Sequence, residues 1–384
     1  METSLTVCVV VLIAILAYTY FGYPVMIGLL ARMRPYRART DADRAASTDT
    51  QLPHISICLP VYNGVTYLPA KIESLLKQDY PADRVEILIY CDGCSDDTEA
   101  LARRIAESPE AGGRIRVFAD ARRLGKPTGL NTLGPAARGE LLLLNDVRQP
   151  LSPNALRALS APLGDPRVGG ATGNLVLAGG AGSGVYWRYE TWIREQESRF
   201  HGMVGMTGPI AMIRRADLKP LPADLILDDV WIPMQLALAG KRFAFVGDAQ
   251  AYDAAFENER EFQRKVRTLA GNYQLFAKIP ALLVPGRNPL WFETLSHKIL
   301  RLVAPWVMMA LAAVTLVGVF GGRGTWAAPW LTALLIAQLA FYGVAGVGKR
   351  AGKLAGVART FVVLNAAAVI GLWRFLTGRQ RVTW

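Results

Sequence analysis

Histidine and cysteine are scarce in this 384-residue chain, at three and four residues. His201 and His297 lack partners at metal-ligand spacing, and Cys8, Cys58, Cys91 and Cys94 form no zinc-type pair of doublets. A structural zinc site is excluded on that basis. With the last three cysteines expected in a reducing cytosol, no disulfides are read. Charge is missing altogether from residues 5 to 30, about 26 positions, more than the roughly 20 residues a helix needs to cross hydrocarbon. No small-residue cleavage site precedes the basic run that follows, which favours a retained span over a signal peptide. Acidic residues are outnumbered 31 to 43, giving a net charge of +12.

What is abundant is apolar sequence, 52% of the chain. Stretches at about 299 to 320, 326 to 347 and 355 to 377 are each near spanning length. Arg32, Arg34, Arg37 and Arg39 follow the first span, so the central domain is expected in the cytosol. Lys349, Arg350, Lys353 and Arg359 mark a second cytosolic loop, while the 321 to 325 turn carries only Arg323. Four simple spans would leave Arg374, Arg379 and Arg381 outside, so one C-terminal segment is expected to be interfacial or re-entrant. Many basic residues flank the spans instead of forming an aromatic-interleaved patch, which points to anionic membrane lipids and away from nucleic acid. The spans lack carboxylates, which weighs against a transporter.

The expected organisation is a transmembrane helix at 1–31, a basic linker at 32–53, a cytosolic domain at 54–280, an interfacial helix at 281–298 and a transmembrane region of about three spans at 299–384. Trp291 and Phe292 belong to that interfacial segment. In the cytosolic domain HISICLPV, VEILIYC, RIRVFAD and GELLLLN read as strands separated by helical stretches, the alternation of an α/β fold with a largely parallel sheet. Ligands of such sheets bind at the carboxyl ends of the strands. Three polar segments stand there: Pro60-Val61-Tyr62-Asn63-Gly64, Asp92-Gly93-Cys94-Ser95-Asp96-Asp97 and Asn145-Asp146-Val147-Arg148. Each alone is an ordinary turn or helix cap.

Taken in order, PVYNG, SLLKQDYP, YCDGCSDDT, RLGKPTGLN, NDVR, TGPIAMIRR, ILDDV and FQRKVR resemble the membrane-bound family 2 glycosyltransferases, over roughly residues 54 to 280. The relatives in view are bacterial polysaccharide synthases and ceramide glucosyltransferase-like enzymes. The resemblance implies a GT-A (Rossmann-like) mixed sheet with flanking helices. It also implies inverting transfer from a nucleotide sugar, with a UDP-sugar as the leading donor. The acceptor would be a lipid-linked or growing glycan at the cytosolic face of a bacterial inner membrane, with partner subunits of a glycan assembly system as possible companions.

Inverting transfer requires grip on the nucleotide, neutralisation of the departing diphosphate, and a base for the acceptor hydroxyl. By resemblance, Tyr62, Asn63 and Asp92 would meet the nucleotide, with Asp92 accepting hydrogen bonds from the base, and Lys126 would offset phosphate charge. Asp96 reads as a helix N-cap. Asp146 matches the first carboxylate of an Asp-any-Asp metal motif for Mg2+ or Mn2+. The second position holds Arg148, which cannot bind a metal. Either Asp146 alone tethers an ion coordinated mostly by the diphosphate, or Arg148 supplies the positive charge itself.

Asp229 matches the catalytic base, with Asp228 as its neighbour. Adjacent carboxylates raise each other's proton affinity, although paired acids also cap helices. Gln263 keeps the start of a Gln-any-any-Arg-Trp motif, but Val266 and Arg267 stand where Arg and Trp belong, which puts processive synthesis in doubt. Arg264, Lys265 and Arg267 could grip diphosphate or lipid headgroups. Tyr186, Trp187, Tyr189 and Trp192 fit sugar binding, a membrane interface or packing onto the sheet equally. The other readings are a processive exopolysaccharide synthase and a catalytically silent scaffold that binds nucleotide sugar.

Overall fold

The computed structural model describes residues 2–36, 52–178, 184–254, 258–321, 329–348 and 352–383. The larger part of the basic linker, the 322–328 turn and Lys349 and Arg350 lie outside the described residues.

Seven strands form one mixed sheet in the order β3-β2-β1-β4-β6-β5-β7. They are β1 (Ile55–Val61), β2 (Val85–Asp92), β3 (Ile115–Asp120), β4 (Leu141–Asn145), β5 (Val168–Ala178), β6 (Ile210–Arg214) and β7 (Arg242–Ala254). β1 runs parallel to both β2 and β4, β2 is parallel to β3, and β6 lies antiparallel between β4 and β5. The four apolar runs read from the sequence are therefore β1 to β4. Leu141 to Leu144 are at most 3% exposed, as a strand covered on both faces requires. Each such leucine contributes about 1.5–3 kcal/mol of burial.

Helices α3 (Leu68–Leu76), α4 (Thr98–Ala106), α5 (Lys126–Ala136), α6 (Ala155–Ser160), α7 (Gly184–Phe200), α8 (Asp228–Leu238) and α9 (Asn258–Lys278) flank the sheet, numbered after the two helices of the N-terminal segment. The order in which strands are added reverses at β1, which is followed by β2 on one side and flanked by β4 on the other. This is a topological switch point, and it opens a crevice beyond the strand ends.

Among the described residues, four helices are long and apolar enough to cross a membrane: Thr3–Met33, Trp291–Phe320, Pro329–Val347 and Leu354–Leu376. The first comprises α1 (Glu2–Ala17) and α2 (Tyr23–Met33), joined by a π turn at Tyr18–Gly22. The separate interfacial helix expected at 281–298 is replaced by a short 3-10 turn, Pro280–Leu283, and by a helix that starts at Trp291 and continues through a π turn, Thr294–Ile299, into α10 (Leu300–Phe320). The continuity has a packing cause: Phe292 lies 5.7 Å from the Tyr23 ring and His297 is buried, so this stretch packs inward against α2. α11 (Pro329–Val347) and α12 (Lys353–Leu376) complete the set.

α7 ties the two parts together. The Trp187 indole donates to the Leu175 carbonyl at 2.9 Å, the Tyr189 hydroxyl donates to the Tyr20 carbonyl at 2.8 Å, and the Trp192 ring lies against Gly28. These aromatics thus pack onto the sheet and onto the N-terminal helix.

Candidate active site

The crevice is built from the turns after β1, β2 and β4. Asp92 ends β2 and is 5% exposed, yet both its oxygens are used: Oδ1 accepts from the Leu124 amide at 2.7 Å and Oδ2 from the Gly125 amide at 2.9 Å. Those amides precede α5, where helical donors have no intrahelical partner. Asp92 thereby fixes the segment that presents Arg123, Gly125 and Lys126 to the crevice. Gly93 has φ +59°, and a Cβ there would stand 2.5 Å from the backbone of Arg122 and Arg123, so glycine is needed for this approach.

Asn63 has φ +46° and bridges to Ser95 with both ends of its amide, each at 2.9 Å. It locks the β1 turn to the β2 turn. Asp96 Oδ1 accepts from the Thr98 amide at 3.1 Å, so it serves the first turn of α4 from one residue before the geometric cap, Asp97. The Arg123 guanidinium stacks 3.6 Å from the Tyr62 ring centroid. Sequence reading missed Arg123, because only the fold brings it over the aromatic.

Lys126 reaches the centre. Its ammonium lies 2.8 Å from Asp146 Oδ1 and 3.0 Å from Asp228 Oδ2. Burial pushes Lys126 toward neutrality, but these two carboxylates outweigh it and hold the ammonium well above the usual lysine range. Asp228 and Asp229 form the first turn of α8, whose macrodipole favours anions there. Burial and then Asp228 push the Asp229 carboxyl upward, opposed by Lys298, Lys126 and Arg267. Asp229 Oδ1 is buried without a hydrogen-bond partner. A buried orphan acceptor costs about 1–3 kcal/mol, which a hydroxyl donor would relieve.

Arg148 lines the crevice while its guanidinium pairs with Asp253 Oδ1 at 3.0 Å, and Gln149 donates to Oδ2 at 2.6 Å. Behind this turn, fully buried Lys71 donates to the Gln149 carbonyl, and burial pushes its ammonium down to about 7. Arg264 lies in the field of Asp253, Arg148 and Asp146. Arg267 donates to the Ile226 carbonyl at 2.9 Å and to the Val382 carbonyl at 3.2 Å while facing Asp229, Asp228 and Asp146. Gln263 is turned elsewhere, accepting from Arg374 on α12 at 2.8 Å. Thr383 also lines the crevice, a contribution from the far end of the chain that no local motif signals.

The donor set offers a divalent ion little from the protein. Among the described residues no group of three or more His, Cys, Asp or Glu could hold a metal. The position between Asp146 and Asp228 is taken by the Lys126 ammonium. What fits is a single tether on Asp146, with the remaining ligands coming from a bound diphosphate.

Residues 56–222 match the family model described as Glycosyl transferase family 2. An N-acetylglucosaminyltransferase of Rhizobium leguminosarum bv. viciae is 22% identical over 324 residues, covering 79% of this chain and 74% of that protein. That of Rhizobium meliloti (strain 1021) is 25% identical over 331 residues, with the same two coverages. Among solved structures, the mannosyltransferase PcManGT from Pyrobaculum calidifontis, in complex with GDP-Man and Mn2+, superposes with a TM-score of 0.75 at 23% identity, over 96% of this chain and 99% of that one. Sheet order, family match and relatives together show a family 2 glycosyltransferase domain over residues 56–222, built on a GT-A fold, in a chain that also carries helices long and apolar enough for a membrane.

Proposed function

We propose that the chain transfers a sugar, with inversion, from a nucleoside diphosphate sugar to a hydroxyl of a lipid-linked or glycan acceptor, and that UDP-sugars are the donors to test first. The observation that carries this reading is the unsatisfied Asp229 oxygen beside a crevice whose other wall is cationic. The acceptor hydroxyl gives its proton to Asp229 as its oxygen bonds to the sugar C1, and the C1–oxygen bond to the diphosphate breaks. Lys126, Arg267 and Arg264 stabilise the negative charge on the departing diphosphate. Tyr62 and Arg123 flank the nucleotide base, and the second lone pairs of the Asp92 oxygens remain for its donors. Mg2+ or Mn2+, when bound on Asp146 and the diphosphate, would add further neutralisation.

The tail supports a reading of the membrane face. Val382 and Thr383 reach the crevice, so α12 ends on the side of the catalytic domain. α12 also begins there if α10 and α11 cross as a hairpin. Its C-terminal half meets the catalytic domain, where Gly371 lies against Ala270 of α9. We read α12 as an interfacial helix on the cytosolic face of an inner membrane, which leaves three spans. This accounts for the basic tail.

The deciding experiment incubates the full chain in native lipid with a panel of nucleotide sugars, with and without chelator, and measures released nucleotide and product size. Release by wild type and its loss in Asp229→Asn are expected. Binding without turnover in both would establish the silent scaffold instead, and a ladder of long products would establish a processive synthase.

A further inference from the structure

A second group of cations lies on the other side of Asp229, where the catalytic domain meets the membrane helices. Lys298 sits in the π turn just before α10, with its ammonium 3.4 Å from where a Cβ on Gly205 would be, and it is the foremost cation acting on Asp229. Arg194 on α7 donates to the Thr207 hydroxyl at 3.3 Å and stacks on Trp187 at 5.6 Å. Lys265 on α9 lies 5.5 Å from the Tyr186 ring centroid. Arg194 repels both lysines.

Asp229 acts on Lys298 and Glu261 on Lys265 through the field alone, and the other nearby carboxylates are committed elsewhere. Glu190 pairs with Arg301 and, at 3.2 Å, with His297 Nε2. Glu197 takes His297 Nδ1 and the Tyr23 hydroxyl, each at 2.6 Å. Among the described residues, Lys265 and Lys298 form no ion pair and no hydrogen bond, although both are partly buried. Burial pushes the Lys265 ammonium down, and Arg264 and Arg194 add to the effect. Partly desolvated cations with no anion in direct contact are costly unless one joins them.

We propose that Arg194, Lys265 and Lys298 seat the phosphate of the acceptor, so that the acceptor is a phosphorylated lipid whose headgroup also presents a hydroxyl to Asp229. The inference rests on the transferase reading for the hydroxyl, but the phosphate seat stands on its own contacts. Phosphate oxygens accept charge-assisted hydrogen bonds from all three side chains. The location fits a lipid, since Lys298 lies near the N-terminal end of the candidate span Trp291–Phe320 and the acyl chains would lie along α2 and α10. A lipid headgroup and a free organophosphate share this chemistry.

The test uses the full chain in maltoside micelles, which carry no phosphate. Native mass spectrometry measures retention of phosphatidylglycerol, of diacylglycerol, and of soluble glycerophosphoglycerol as competitor. Wild type should retain phosphatidylglycerol at least tenfold over diacylglycerol. Lys298→Gln and Lys265→Gln should each lose that preference, while Lys219→Gln on the surface should keep it. Thermal midpoints identify a variant that fails to fold, in which case the other lysine variant and Arg194→Gln decide. Competition by glycerophosphoglycerol would show that the seat takes phosphate without a lipid tail, and its failure to compete would make the lipid the source. Equal retention of diacylglycerol, or folded variants that keep the preference, would overturn the proposal. Nucleotide release in the same samples separates the two readings: no release from any donor with retention intact defeats the transferase mechanism and leaves the seat standing.

Discussion

Replacing Lys126 by methionine removes the cation shared by Asp146 and Asp228, at 2.8 and 3.0 Å, and leaves two carboxylates that are only 18% and 13% exposed. Breaking a buried pair by removing one partner costs about 3–5 kcal/mol, because the remaining charge is uncompensated. Lys126→Met should lose stability of that order in thermal or denaturant unfolding. Adding Asp146→Asn should return about 1–3 kcal/mol as coupling energy between contacting residues. Catalysis gives an independent readout. Lys126 is one of three cations that oppose the upward push on Asp229, so its removal raises that carboxyl further. A base must be deprotonated to act, so the acid limb of the pH profile of nucleotide release should move to higher pH. Unchanged stability, no coupling with Asp146 and an unmoved acid limb would together refute the bridging role.

Asp92→Asn keeps an acceptor for one loop amide but sets an NH2 against the other, so donor affinity should fall by about 1–3 kcal/mol in a nucleotide-binding titration. Buried Lys71 is held near 7 against an ordinary 10.5, so the unfolded chain binds the extra proton between those values. Stability should therefore rise with pH through that window, by up to about 1.4 kcal/mol per unit. Lys71→Met should flatten the curve of thermal midpoint against pH there, and an unchanged slope would count against the assignment. Cys94, lowered to about 7 chiefly by its hydrogen bond with Cys91, should alkylate with a pH midpoint near that value, while Cys91, raised by the same bond and by burial, should stay inert.

Periodicity and strand-end position were enough to locate β1 to β4 and their polar turns, because apolar runs between turn signals are local properties of the chain. The order of the motifs carried the family, and Lys126, Asp146, Asp228 and Asp229 do meet at one place. Other roles were hidden from the sequence. Asp92 and Asn63 stood next to the crevice in the motif, yet their hydrogen bonds go to neighbouring loops, since unpaired amides on distant segments had first claim on them. His297 had no partner at ligand spacing, but the fold places it between two glutamates about a hundred residues away in sequence.

By itself, the sequence determined which segments are apolar enough for a membrane, where the sheet begins, and which carboxylates stand at strand ends, because these depend on composition and on neighbours in the chain. The tertiary structure alone decided that Arg148 pairs with Asp253, that the tail returns to the crevice, and that Lys298 of the π turn stands beside Asp229. Such contacts join residues about 70 to 115 positions apart, and only the packing of helices against the sheet and against one another sets them.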